Sequence, residues 1–195
     1  MLSSQAVSAA DVTLAHRLVR GGVASDVLLL AGGAALTALL AQVSVPLPFT
    51  PVPVTLQTLS VLVVGATLGS WRGGLSQALY VLLGALGAPV FAGGQGGRLV
   101  LLGPAGGYLL GFVAAAALTG WLAERGWDRD HRAILAMLAG EVVIYAAGLA
   151  WLAQFVGWSR VVALGLAPFV VGDLAKVAAA SGLLQLAWRL HPRTR

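Results

Sequence analysis

The sequence predicts an all-α membrane protein with six transmembrane helices, and three observations carry that prediction. First, the chain is 58% hydrophobic and only 10% charged over 195 residues, with a mean hydropathy of +0.89. Soluble domains carry about 25% charged residues, so there is too little polar side chain here to cover a water-facing surface. Second, the apolar residues come in long runs, not in the alternating segments of a membrane barrel. Third, the basic residues fall on alternate connections. With six spans and both termini cytoplasmic, Arg17, Arg20, Arg72, Arg125, Arg129, Arg132, Arg189, Arg193 and Arg195 lie inside, and Arg98 and Arg160 outside. Basic residues concentrate on the cytoplasmic side. The six tryptophans sit near predicted span ends or in loops, as an interfacial belt places them.

The length suits a single domain: a cytoplasmic tail over residues 1–26, a transmembrane domain over 27–190 and a short cytoplasmic tail over 191–195. The Ser/Ala-rich start lacks the basic, apolar and cleavage regions of a signal peptide. The net charge of +5 is spread beside span ends and forms no patch, which argues against nucleic acid. Cysteine is absent, so thiol chemistry is excluded.

The first span is expected from Val27 to Val45. Its small residues include the pairs Ala31/Ala35 and Ala34/Ala38. Such pairs let another helix approach closely, either within this protein or on a separate membrane subunit. Residues 46–53 then hold four prolines, at Pro46, Pro48, Pro51 and Pro53. They cannot form a helix and favour extended backbone. An apolar stiff loop at a membrane surface is either a connector or a lid over a site. The second span, Val54 to Leu68, contains Gln57. A turn over residues 69–74 leads to a third, Leu75 to Leu86, with Gln77 and Tyr80 on one face. Both are short against the roughly 20 residues a span needs.

The next loop runs Phe91-Ala-Gly-Gly-Gln-Gly-Gly97. Glycine permits positive φ and close backbone approach to a ligand. Irregular backbone lies at membrane depth only when buried in protein or lining a cavity. The alternatives are a flexible connector or a ligand-contacting loop with Gln95 at its tip, flanked by Gly94 and Gly96. No Walker A or dinucleotide fingerprint is present. The fourth span, Tyr108 to Ala123, opens after Gly103-Pro-Ala-Gly-Gly107. The fifth, Ala133 to Phe155, carries Glu141 and Tyr145 one turn apart.

Residues 156–167 are expected as a loop or partly helical stretch, and the sixth span then runs to about Leu190; Asp173 and Lys176 intrude into an otherwise apolar run from Val161 to Trp188. A charge near mid-bilayer costs at least ~2.5–3.5 kcal/mol on insertion scales. Spacing i,i+3 puts both on one helix face, where they partly neutralise each other. Either they form an ion pair that only ties the helix to its neighbours, or they meet polar groups of a ligand. Ionisable residues inside a span favour the second reading. In the six-span orientation the proline loop, the glycine loop and the start of the sixth span share the outer side, so the pair and both loops can converge on one pocket.

Enzyme chemistry finds no support. His16, His131 and His191 lie outside the spans. No Cys/His/carboxylate cluster has metal spacing, and no span holds a Ser–His dyad. Neither a metal nor a cofactor is expected.

Four ordered segments carry a resemblance: Pro48-Phe-Thr-Pro-Val-Pro-Val-Thr-Leu-Gln57, Phe91 to Gly97, Gly103-Pro-Ala-Gly-Gly-Tyr108 and Gly172-Asp-Leu-Ala-Lys176. Together they resemble the BioY family, the biotin-specific substrate-binding (S) components of energy-coupling-factor (ECF) transporters. The resemblance implies an S-component-like bundle of six helices in the cytoplasmic membrane. It implies biotin as ligand, and a transmembrane coupling subunit with two cytoplasmic ATPases as partners. By that similarity Gln95, Asp173 and Lys176 contact the biotin head group, and Ala34 and Ala38 face the coupling subunit. Phe49, Gln57, Phe91, Gly94, Gly96 and Tyr108 belong to the same expected site. A homo-oligomer stays open. The rival readings are a stand-alone facilitative or proton-coupled carrier, with Asp173 or Glu141 as proton site, and a structural membrane scaffold.

Overall fold

The computed structural model describes residues 13–15 and 22–190. In chain order the helices are α1 (Val23–Ala41), α2 (Gln57–Leu68), α3 (Ser70–Ala85), α4 (Arg98–Leu102), α5 (Gly106–Glu124), α6 (Arg132–Val156), α7 (Val161–Gly165) and α8 (Val170–Leu190), with a 3-10 turn over Ala92–Gly94. Strands β1 (Ser44–Val45) and β2 (Val54–Thr55) pair antiparallel. This ribbon closes the proline segment into a hairpin, so the first helix ends at Ala41 and does not continue to Val45.

Among the described residues four helices, α1, α5, α6 and α8, are long and apolar enough to cross a membrane. The apolar helix α2 has only 12 residues, roughly 18 Å at the α-helical rise. The expected turn over residues 69–74 is reduced to Gly69, whose φ of 88° a side-chain-bearing residue rarely adopts. Helix α3 starts directly after it. The Ser70 N–H donates to Glu124 Oε1 at 2.7 Å, placing a carboxylate at the helix N-terminus where the dipole favours it.

Helix α1 opens at Val23, inside the stretch expected as tail. Residues 13–15 are also buried: Leu14 packs with Leu62, Met137 and Leu184, and Ala15 with Val64 and Leu68. The C-terminal tail over 191–195 and the rest of the N-terminal tail lie outside the described residues.

The stretch ahead of the sixth span is partly helical, as its sequence suggests, and the apolar run from Val161 to Trp188 is broken. Chain between α7 and α8, residues 166–169, interrupts it. Pro168 has no N–H to continue a helix and biases Ala167 away from helical backbone. Asp173 and Lys176 therefore stand in the first two turns of α8.

Candidate functional site

A cavity of about 850 Å³ lies at the hairpin end of the bundle, within the usual range for small-molecule sites. The hairpin supplies Pro46, Leu47, Thr50 and Val52; the glycine loop supplies Phe91, Gln95 and Gly96. Helices α5, α6 and α8 supply Tyr108, Tyr145, Asp173 and Lys176. The hairpin is fastened to α7 by the Thr50 hydroxyl, which donates to the Leu164 carbonyl at 2.7 Å.

At the cavity floor Lys176 Nζ donates to Asp173 Oδ1 at 2.6 Å. Both residues are buried, 8% and 6% exposed. The Thr58 hydroxyl reaches the same oxygen at 3.4 Å, and the Tyr145 hydroxyl donates to Asp173 Oδ2. Asp173 lies in the first turn of α8, where the helix dipole adds to these donors. The result is a carboxylate beside an ammonium, both lining the cavity. One accepts hydrogen bonds and the other donates them.

Two aromatic anchors shape the walls. Phe91 stands edge-to-face on Tyr80, with ring centroids 5.6 Å apart, and fills the space left by Gly84. A Cβ at Gly84 would lie 2.1 Å from the Phe91 ring. Tyr80 accepts from Gln57 Nε2 at 2.6 Å and donates to the Val90 carbonyl at 3.2 Å. Gln57 Oε1 accepts from Thr55 at 2.9 Å. Gln57 thus lines the cavity while its amide holds the wall together. On the other side Tyr108 donates to the Gly165 carbonyl at 2.8 Å and packs over Gly148, where a Cβ would lie 2.3 Å from its ring.

Seven residues expected from sequence therefore meet around one space: Gln57, Phe91, Gln95, Gly96, Tyr108, Asp173 and Lys176. Four others do not. Phe49 is 59% exposed and is not among the residues that line the cavity. Gly94 shapes the loop through its φ of 72° but is not part of the wall. Ala34 and Ala38, expected on a docking face, lie on the inner side of α1. Ala34 is 4% exposed and sits in the protein's own core, with Ala38 packed against it. Helix α1 is apolar all round, so its sequence does not reveal which side faces in; Ala31 and Ala35 are the pair turned outward.

Sequence reasoning missed Thr58 and assigned no part to Tyr145 beyond its place one turn from Glu141. Their signal was faint: single hydroxyls in apolar helices, whose link to Asp173 needs the packing of α2 and α6 on α8. No group of His, Cys, Asp and Glu able to hold a metal occurs among the described residues.

The family model described as "BioY family" matches residues 8–193. The chain belongs to the BioY family. It is 45% identical over 157 residues to the probable biotin transporter BioY of Pyrococcus horikoshii, covering 80% of this chain and 92% of that protein. It is 41% identical over 150 residues to the biotin transporter BioY of Rhodobacter capsulatus, covering 69% of this chain and 77% of that one. Its fold matches the crystal structure of the S-component for biotin from an ECF-type ABC transporter. There the TM-score is 0.77 at 24% identity, over 90% of this chain and 95% of that chain. Membership in BioY makes the chain a multi-pass membrane protein of transporter type.

Proposed function

We propose that this chain binds biotin in the cavity beneath the proline hairpin and delivers it as the substrate-specific subunit of an ECF-type transporter. The observation that carries the reading is the Asp173–Lys176 couple on the cavity floor. In biotin's cyclic urea an N–H and the C=O lie side by side. A carboxylate accepts from that N–H while the adjacent ammonium donates to the carbonyl. Charge-assisted bonds of this kind are roughly twice as strong as neutral ones. Gln95, at the loop, takes the second N–H. Phe91, Tyr108 and the hairpin residues Leu47 and Val52 enclose the sulfur ring and the aliphatic chain. The carboxylate of the ligand lies toward the mouth, near Ser44 and the glycine-loop amides.

In this reading α1, α2, α3, α5, α6 and α8 are the six spans of a protein of the cell membrane. Both termini are cytoplasmic and the cavity mouth faces outward. Hairpin and glycine loop close over the ligand, expel water and strengthen the polar contacts. Release requires a partner complex to reopen them. The partners are a transmembrane coupling subunit and two ATPases, because the chain has no nucleotide motif of its own.

Calorimetric titration of the purified protein with biotin tests the reading, together with identification of any ligand released on denaturation. Saturable one-site binding is expected. No binding to the purified, folded protein would reject it. Biotin uptake into vesicles holding this chain alone would replace the ECF assignment with a stand-alone carrier.

A further inference from the structure

Glu141 is the one acid of α6, and it is 5% exposed. Neither of its carboxyl oxygens has a hydrogen-bond partner among the described residues. It does not line the cavity. The Thr58 side chain stands beside it, outside hydrogen-bond geometry with either oxygen, and the charges of Asp173 and Lys176 act on it across the α6–α8 interface. Gly140 keeps this layer tight, since a Cβ there would lie 2.4 Å from Leu62 and 2.5 Å from the Thr119 hydroxyl.

The other titratable groups facing Glu141 are few. Helix α8 brings Asp173 and Lys176, α6 itself brings Tyr145, and α5 brings Tyr108, whose ring is 6.4 Å from that of Tyr145. Helices α2 and α7 bring none. Hydrogen bonds divide unequally between the two acids. Asp173 receives Lys176, Thr58 and Tyr145; Glu141 receives nothing. A buried carboxylate without donors is far costlier than a neutral acid. One cation and one anion already balance the layer.

We infer that Glu141 is a positioning residue of this site, held as the neutral acid so that Lys176 stays on the cavity floor beside Asp173. Ionised, it would be a second anion in the layer. Among the described residues, the cation acting on it is Lys176, and a hydroxyl beside it is that of Thr58. Both would be drawn toward α6, away from Asp173. The cavity would lose the ammonium that meets a ligand carbonyl. Ligand and proton thus favour the same state, so affinity falls as pH rises through the titration of Glu141.

This rests on the biotin reading, and the test separates the two. Biotin affinity is measured by calorimetry from about pH 5 to 9 on wild type and Glu141→Gln. The wild-type Kd is expected to rise with pH, by at most about tenfold per unit for one linked proton. Glu141→Gln, which keeps the shape and cannot ionise, is expected to bind tightly with a flat profile. Identical profiles in the two proteins, flat or sloping, overturn this inference and leave biotin binding standing. No binding by wild type at any pH overturns both. Infrared spectra of wild type give an independent check that needs no variant: the protonated-carboxyl C=O band must vanish over the pH range in which affinity falls. A band that stays, or vanishes elsewhere, overturns the inference.

Discussion

Tyr145 on α6 donates its hydroxyl hydrogen to Asp173 on α8, so a phenol fixes the direction in which the carboxylate points. Its ring is held edge-on by Tyr108, which is itself tied to α7 through Gly165. Tyr145→Phe keeps the ring and removes the donor. Hydrogen bonds to charged groups contribute ~1.5–3 kcal/mol, and water or the ligand recovers part of that here. Biotin affinity is expected to fall about tenfold in calorimetric titration. Unchanged affinity would remove Tyr145 from the site.

The charged pair was legible in the sequence for an energetic reason. An acid and a base inside an apolar run are too costly to persist without a partner, and their spacing puts them on one face. The glycine loop was legible because its composition suits irregular backbone near a cavity. Side orientation was not. Ala34 is buried, Ala38 half-buried and Phe49 exposed, and neither apolar α1 nor the proline hairpin has a periodicity that marks its buried side. The break before α8 was legible too, since Pro168 cannot continue a helix and residues 156–167 read as loop or partly helical chain ahead of the sixth span. Thr58 and Tyr145 become partners of Asp173 only through helix packing.

The aromatic walls depend on two missing methyl groups. Gly148→Ala would push a Cβ into the Tyr108 ring, and Gly84→Ala into Phe91. Overpacking costs typically ~1–3 kcal/mol. Each variant is expected to lower biotin affinity at least about fivefold and to lower the melting temperature in detergent. Gly172→Ala, where a Cβ meets nothing within 4 Å, is the matched control and should keep wild-type affinity. Normal binding by both Gly84→Ala and Gly148→Ala would show that neither ring position matters.

Tyr80 joins α2 to the glycine loop, accepting from Gln57 and donating to Val90. Tyr80→Phe leaves the buried Gln57 amide without its acceptor, at about 1–3 kcal/mol, and leaves the Val90 carbonyl only the Gln42 Nε2 donor at 3.5 Å. Protease cleavage within residues 88–97 is expected to speed up, and biotin is expected to slow it again. Equal cleavage rates in variant and wild type would contradict this bracing role.

At the opposite end of α1 from the hairpin, Arg72 Nη2 pairs with Asp26 Oδ1 at 2.6 Å, the two side chains being 9% and 27% exposed. That burial lies between an exposed pair, worth ~0–1 kcal/mol, and a fully buried one, where removing a partner costs ~3–5 kcal/mol. Asp26→Ala is expected to lower thermal stability measurably while leaving biotin affinity alone. A large affinity loss without a stability change would mean that this end of the bundle communicates with the cavity.

The most direct measurement is biotin titration of Asp173→Asn and Lys176→Ala, each shown by its melting curve to be folded. The account predicts that either substitution weakens binding by roughly 100-fold or more, since a buried charge loses its counterpart and the ligand loses a charge-assisted bond. Wild-type affinity in both variants would contradict it.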